Sequence, residues 1–202
     1  ANDFHDKLKI YKLNSRIEIN IINNLASLII LENNNNLLFE NDIINFIDPR
    51  SDKIGTKIIF NVNKFDDIVD SYNLNEINCG IYRELLIKNL IPYSPEDLLQ
   101  NKSLLLENNF DKINAIDWQK GCYVGQEITA RMKYRALLKK SIRAVEIISG
   151  SVNSGNKITN EQYIIGEIIS SYNNLAIAML KIEGAKDAFD NKKILKTESA
   201  SL

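Results

Sequence analysis

One eight-residue stretch, Lys120 to Glu127, constrains this chain more than any other. It places a cysteine between two glycines and near a lysine, directly before a segment that contains neither glycine nor proline. Because glycine allows a positive φ and close approach to the backbone, the stretch predicts a turn that presents Cys122 and Tyr123 at the mouth of a cleft. The segment that follows, Gln126 to Arg135, is predicted to form a helix.

The chemistry predicted for this turn is that of a reactive thiol. The positive dipole end of the predicted helix and the ammonium group of Lys120 would both favour the thiolate form of Cys122. The alternative is that Cys122 is a small buried hydrophobic residue, which is common for free cysteines. Cys79 is predicted to be of that second kind, because it lies among Ile77, Gly80 and Ile81 with no cation beside it.

Helical spacing places several of the next charged residues on one face of the predicted helix. Glu127, Arg131 and Arg135 lie at i, i+4 and i+8, so they share one face, while Ile128 and Met132 are expected to pack inward. Glu127 and Arg131 could pair with each other or could orient a ligand. A surface pair of this kind contributes about 0.3 to 0.5 kcal/mol, so stability alone is a weak reason for it.

The composition argues against a chain-wide attraction to nucleic acid or to a membrane. Lys and Arg total 25 against 26 for Asp and Glu, which leaves a net charge of −1. No apolar run reaches the roughly 18 residues of a membrane span, and the first residues lack the pattern of a secretory signal. We therefore expect a bacterial cytoplasmic or mitochondrial matrix protein, with no membrane partner and with both cysteines reduced. The single histidine and the absence of a Cys-x-x-Cys motif argue against a metal site held by this chain alone.

The remaining hydrophobic patterns mix helices and strands without regular alternation, which is typical of an α+β fold. Helices are predicted up to about Leu13, over Phe65 to Ser71, from about Glu76 to Leu90, and from Ser94 onward. Strands are predicted over Ile17 to Ile21, Leu28 to Leu31 and Ile58 to Val62, and the run Asn33 to Asn36 is predicted to be a polar loop.

After about Lys139 the pattern changes to strands alone, which predicts a small β-barrel or sandwich. A domain boundary is accordingly predicted between residues 138 and 139. The segment from Gly184 to Leu202 is polar and rich in lysine, and its end is predicted to be mobile. The predicted strands are Ser141 to Ile148, Ile164 to Ser170 and Leu175 to Lys181.

The stretch from Lys120 to Glu127, continued by Thr129, Ala130, Arg131 and Arg135, resembles the signature of the YgfZ family. These are folate-binding proteins implicated in iron-sulfur cluster assembly or repair, and they are related in fold to the aminomethyltransferase (T-protein) of the glycine cleavage system. Further segments fall in the family's order. They are Tyr11 to Leu13, Arg16 to Ile19, Asp48 to Arg50, Tyr82 to Arg83, Ile91 to Pro92, Asp97 to Leu98, Lys102 to Ser103, Glu107 and Gly166 to Ser170.

The resemblance implies a T-protein-like folate-binding domain over residues 1–138, lacking its N-terminal part, followed by a small β-barrel over residues 139–202. It implies tetrahydrofolate as cofactor, and iron-sulfur client or assembly proteins as partners of a monomer. Cys122 is the expected reactive residue, and the Glu107 carboxylate suits the donors of a pterin ring edge. The expected ligand-binding residues are Lys120, Gly121, Tyr123, Gly125, Gln126, Glu127, Arg131 and Glu107.

Two other functions stay open from the sequence. The first is a folate-dependent aminomethyltransferase, although the amino-terminal aspartate that serves this reaction in the T-protein has no counterpart here. The second is a non-catalytic RNA- or protein-binding adaptor that uses the basic stretch from Arg131 to Arg143. Nucleic acid is the less favoured partner, because Tyr134 is the only aromatic residue within that stretch. The family's pattern is also broken at Leu86, Asn89, Leu90 and Leu105.

Overall fold

A computed structural model describes residues 2–31, 42–135 and 137–202. The fold is α+β, as predicted, and the described residues form several separate sheets. The contacts divide the chain into two compact units, Ala1–Ile47 with Gly55–Glu76 and Asp48–Ile54 with Ile77–Leu202. The domain boundary expected between residues 138 and 139 stays a prediction, and the loop predicted at Asn33 to Asn36 lies outside the described residues.

The smaller unit contains a three-stranded antiparallel sheet with the strand order β1-β3-β2. Its core is formed by Ile30, Ile43, Ile58, Phe60 and Ile68. The elements are α1 (Asn2–Lys12), β1 (Leu25–Ile30), β2 (Ile44–Ile47), β3 (Thr56–Asn61) and α2 (Phe65–Ser71).

One strand predicted in this unit is wrong. The segment Ile17 to Ile21 has no regular secondary structure, although its apolar and polar residues alternate. The backbone carbonyl of Ile19 accepts a hydrogen bond from the His5 ring at 3.0 Å instead of joining a sheet. The predicted helices ending near Leu13 and covering Phe65 to Ser71 are confirmed, whereas β2 was not predicted.

The larger unit combines three helices with the remaining strands. The helix predicted from about Glu76 to Leu90 is confirmed in a shorter form, and the strand predicted over Leu175 to Lys181 is confirmed at both ends. The elements are α3 (Cys79–Lys88), α4 (Gln126–Tyr134), β4 (Lys140–Glu146), β5 (Ser149–Gly150), β6 (Lys157–Asn160), β7 (Tyr163–Tyr172), β8 (Leu175–Lys181), α5 (Ile182–Asp190) and β9 (Ala200–Ser201).

The core of this unit is built around β8. Strands β4, β8, β7 and β6 form an antiparallel sheet in that order, and the five residues from Ala176 to Leu180 are all buried. Ile177 and Met179 cluster with Ile87 of α3 on one face of the sheet. Ala176, Ala178 and Leu180 cluster with Ala188 of α5. A strand that is buried on both faces has a continuous apolar sequence, which explains its composition.

The predicted small β-barrel is corrected by the strand order. Thr159 of β6 forms an isolated bridge with Lys196, which in turn bridges to Ser201 of β9, and β9 pairs with β5. Within the described residues β4 pairs with β8 alone. The sheet is therefore extended by single bridges and does not close into a barrel.

The segment after Gly184 pairs with the sheet, and the mobility predicted for its end stays a prediction. It forms most of α5 and then β9, and Ala188 and Leu195 are buried at 6% and 7% exposure. The side chain of Asn160 donates a hydrogen bond to the Asp187 carboxylate at 2.7 Å. The segment is rich in lysine but also has an apolar face, which its composition alone did not indicate.

The helix predicted to begin at Ser94 is replaced by turns around a buried carboxylate. The side chain of Asp97 is fully buried, and it accepts hydrogen bonds from Arg83 at 2.6 and 2.7 Å and from the Tyr93 backbone N–H at 2.7 Å. Ser170 of β7 donates a further hydrogen bond to it. The bonds from Arg83 to the Asp97 carboxylate raise the pKa of Arg83 above its usual value. All the bonds around Asp97 together join α3, the turn and β7.

Replacing Asp97 with Asn should destabilise the protein by about 3 kcal/mol, because the Arg83 charge would remain largely buried without its counter-charge. The measurement is the free energy of unfolding in urea. Asp111→Asn, at an exposed position in a turn, is the control and should change it by less than about 0.5 kcal/mol. Equal effects of the two substitutions would show that this network does not hold the unit together.

Candidate functional site

Helix α4 begins at the turn that the sequence predicted. Gly125 precedes it with a φ of +89°, and both the backbone N–H and the hydroxyl of Thr129 donate hydrogen bonds to its carbonyl, at 3.2 and 3.0 Å. Gly121 has no positive φ, and a Cβ added there would meet no atom within 4 Å. Of the two glycines, only Gly125 therefore uses the conformational freedom that the motif predicted.

A pocket of about 340 Å³ lies between the chain that precedes α4 and one face of that helix. Its lining combines three aromatic rings with two carboxylates, and it is open to solvent on one side. The lining residues are Asp117, Trp118, Tyr123, Gln126, Glu127, Ala130 and Tyr134. Aromatic walls with a few convergent polar groups are typical of small-molecule sites.

The aromatic wall is held by contacts between its own members. The Trp118 and Tyr134 rings meet edge to face, with centroids 6.2 Å apart. The ammonium of Lys133 lies 3.5 Å from the centroid of the Trp118 ring and 5.7 Å from that of Tyr134. Such contacts contribute about 0.5 to 1 kcal/mol each at exposed sites, so together they restrict the indole ring to the pocket wall.

The carboxylates differ in their partners. Glu127 forms an ion pair with Arg131, as its i,i+4 spacing predicted, and both side chains are exposed. Asp117 accepts a hydrogen bond from the Gln119 backbone N–H at 2.9 Å through one oxygen. A carboxylate with two oxygens can accept further bonds from a ligand, so both groups can contact the donors of a ring edge.

The structure brings together only part of the predicted site. Tyr123, Gln126 and Glu127 line the pocket, and Arg131 contacts it through its pair with Glu127. The other predicted site residues of the motif, which are Lys120, Gly121, Cys122 and Gly125, are exposed in the adjoining loop and do not line the pocket.

Cys122 lies at the surface and not in the core. Its thiol is free and exposed, and the following Tyr123 is a lining residue of the pocket. A reagent or partner protein can therefore reach the thiol next to the pocket. The alternative of a buried hydrophobic cysteine is wrong for Cys122. It is also wrong for Cys79, where it was the prediction, because Cys79 is exposed in the first turn of α3 and the following Gly80 is the residue that packs inward.

Glu107 occupies a different environment from the loop. It is 8% exposed, its carboxylate lies 3.4 Å from the ammonium of Lys140, and its backbone carbonyl accepts a hydrogen bond from the Ile142 N–H at 2.8 Å. It is therefore attached to β4, and it is not a lining residue of the pocket. Glu107 is therefore not a solvated loop residue.

The basic stretch is largely used in local contacts. Arg131 pairs with Glu127, Lys133 lies on the Trp118 ring, and Lys140 pairs with Glu107.

The packing face of α4 differs from the one predicted. Ile128 is 59% exposed, whereas Thr129 is buried at 6% and Met132 is half-buried. On the inward face of α4, the Thr129 hydroxyl donates a hydrogen bond to the Gly125 carbonyl, whereas the larger side chain of Ile128 is exposed to solvent.

Sequence reasoning missed Asp117, Ala130 and Tyr134 as lining residues. A signal for two of them was present, because Gln126, Ala130 and Tyr134 lie at i, i+4 and i+8 and thus share a helix face. Trp118, which was also not among the predicted site residues, packs against Tyr134. No local signal indicates Asp117.

Two general features complete the description of the site. Among the described residues, no group of three or more His, Cys, Asp or Glu side chains is placed to hold a metal ion. None of the helices in the described ranges has the length and the apolar character that crossing a membrane requires.

About half of the chain is homologous to proteins named as iron-sulfur cluster assembly factors. The mitochondrial iron-sulfur cluster assembly factor IBA57 homolog of Neurospora crassa is 34% identical over 95 residues, which are 47% of this chain and 21% of that protein. The Mycosarcoma maydis homolog is 36% identical over 104 residues, 48% of this chain and 23% of that protein. The Homo sapiens protein is 29% identical over 101 residues, 48% of this chain and 28% of that protein.

The matches cover part of each relative. The chain spans about a fifth to about a quarter of the length of the curated relatives it matches. No protein-family model matches the chain. The names of these relatives refer to iron-sulfur cluster assembly, the process that the sequence resemblance also implied. Two locations were predicted, the bacterial cytoplasm and the mitochondrial matrix, and the relatives' names contain the word mitochondrial.

The two glycines of the motif provide a matched pair of substitutions. Gly125→Ala should destabilise the protein by about 1 to 2 kcal/mol, because its φ of +89° is strained for any residue with a Cβ. Gly121→Ala should change stability by less than about 0.5 kcal/mol, because the added methyl group meets open space. Urea unfolding of both variants measures the difference, and the reverse order would contradict the turn described here.

Proposed function

We propose that this chain binds tetrahydrofolate and acts in the assembly or repair of iron-sulfur clusters in client proteins, as the YgfZ resemblance implies. The observation that carries the proposal is the pocket in which Tyr123, Gln126 and Glu127 of the motif meet the rings of Trp118 and Tyr134. The names of the relatives support the iron-sulfur part independently.

The residues of the pocket fit the flat ring of a reduced folate. Aromatic side chains suit the faces of such a ring, and the carboxylates of Asp117 and Glu127 suit its N–H donors. A volume of about 340 Å³ is at the lower end of the usual range for ligand sites, so it suits the ring end of the molecule. Bound tetrahydrofolate supplies a reduced carrier of one-carbon groups.

Cys122 is the residue assigned to the iron-sulfur cargo. Its exposed thiol can approach a client protein or a cluster while the pocket beside it is filled. The thiolate is the form of a cysteine that ligates iron or exchanges with disulfides. Gln126 and Glu127 hold the ligand next to this loop, and Arg131 orients Glu127 through their ion pair.

The proposal includes the relation in fold to the T-protein folate-binding domain and a place in the mitochondrial matrix. The α+β organisation supports the first, and the names of the relatives support the second. An aminomethyl transfer is not part of the proposal. An RNA-binding adaptor is disfavoured by the local pairing of Arg131, Lys133 and Lys140.

Folate binding can be read from the protein's own fluorescence, because Trp118 is the single tryptophan and lies in the pocket wall. Titration with tetrahydrofolate should change this fluorescence with saturation. Glu127→Gln should weaken binding by about tenfold, because a hydrogen bond to a charged acceptor is replaced by one to a neutral amide.

The control for that titration is Glu161→Gln, which breaks a comparable surface ion pair with Lys193 far along the chain. It should leave the dissociation constant unchanged. The folate assignment would be abandoned if calorimetry and fluorescence both showed no saturable binding, or if the two variants weakened binding equally.

The role of the thiol is tested by comparing the two exposed cysteines. In cells whose only copy carries Cys122→Ala, the activity of iron-sulfur enzymes should fall several-fold at equal protein level. Cys79→Ala removes the other exposed thiol, in α3, and should leave that activity intact. Normal activity with Cys122→Ala would remove this residue from the mechanism while leaving folate binding to be judged by the titration.

A further inference from the structure

A second groove, of about 170 Å³, lies on the four-stranded sheet of the larger unit and is not part of the proposed folate pocket. Its lining combines lysines from three different strands with apolar residues. The lining residues are Lys140, Lys157, Ile164, Ile165, Gly166, Glu167, Met179 and Lys181.

Strand register places the charged residues of this groove on the sheet face that α3 partly covers. Met179 packs against Ile87 of α3, and its direct cross-strand neighbour is Glu167. Glu167 in turn lies opposite Lys157 on β6. Since directly paired residues share a face and residues two apart return to it, Lys181 lies on this face as well. The groove is therefore the charged continuation of an otherwise apolar packing face.

Two of the lysines are direct cross-strand neighbours. Lys140 of β4 pairs in register with Lys181 of β8. Cβ atoms of such pairs are roughly 4.5 to 5.5 Å apart, and like charges directly opposite each other are destabilising. The pair therefore carries a repulsion that a bound anion would reduce.

The groups around this pair neutralise it only in part. The ammonium of Lys181 donates to the backbone carbonyl of Ile164 at 3.0 Å, and that of Lys140 lies 3.4 Å from the carboxylate of Glu107. Of the described residues that line the groove, three are lysines and one, Glu167, is a carboxylate that pairs with Lys157. The lining thus keeps an excess of positive charge.

We propose that this groove binds a phosphate group, either as inorganic phosphate or as the monoester of a small metabolite. Lysine binds phosphate as a point charge, and three lysines that line one groove suit an anion of this size. Ile164 and Met179 provide apolar contact for the carbon part of an ester. The site is independent of the proposed folate pocket, since the two share no lining residue.

The test is a titration of the ¹⁵N-labelled chain with inorganic phosphate and with glycerol 1-phosphate at constant ionic strength, followed by amide chemical shifts. We expect saturable shifts at residues 164–167 and 179–181. Equal affinity for the two compounds assigns the site to inorganic phosphate, and tighter binding of the ester assigns it to a metabolite. Shifts that rise linearly and spread over the whole lysine surface would overturn the proposal.

Two substitutions with opposite expected effects separate binding from folding. Lys181→Met should weaken phosphate binding by about tenfold, because it removes a charged donor. Glu167→Gln should tighten binding by about threefold, because it frees Lys157 from its ion pair in the groove. A disrupted fold would weaken binding in both variants.

Lys186→Met is the matched control, since Lys186 is an exposed lysine on α5 outside the groove. It should leave the dissociation constant unchanged. Weakening by Lys186→Met to the same extent as by Lys181→Met, or weakening by Glu167→Gln in a folded protein, would contradict a phosphate site in this groove.

Discussion

Strand β8 is the constraint on which the larger unit depends, because both of its faces are buried. Five consecutive residues, Ala176 to Leu180, pack against α3 on one side and against the cluster that contains Ala188 of α5 on the other. The Asp97 carboxylate then joins α3 to β7 through Arg83 and Ser170. This frame leaves α4 and the loop before it at the surface, where an exposed thiol and an aromatic pocket can lie side by side.

The parts of the fold that the sequence predicted correctly are those in which a local pattern coincides with burial. The apolar run of β8 and the short helix Phe65–Ser71 are examples. The wrong predictions occur where a tertiary contact overrides the pattern. The strand predicted from the alternation of Ile17 to Ile21 does not form, and the Ile19 carbonyl accepts a hydrogen bond from His5 instead. The helix predicted to start at Ser94 is replaced by a turn that is bonded to Asp97.

The site was predicted in part for a similar reason. The motif indicated the turn at Gly125, the start of α4 and three lining residues, since glycine conformation and helical spacing are local properties. It could not indicate Asp117 or Trp118 in the opposite wall, because their position depends on how the preceding loop folds against the helix. Glu107 is the opposite case. The resemblance placed it in the ligand site with the motif, but the structure places it beside Lys140 of β4 and not in the pocket lining.

The central claim is that an accessible Cys122 thiol and a folate ring occupy adjacent positions on this surface. A crystal structure of the protein with tetrahydrofolate bound tests it most directly. The account predicts the pterin ring in contact with Trp118 and Tyr123, hydrogen-bonded to the carboxylate of Asp117 or Glu127, with the Cys122 thiol still open to solvent. A ring bound outside this pocket, or one that covers the thiol, would contradict it.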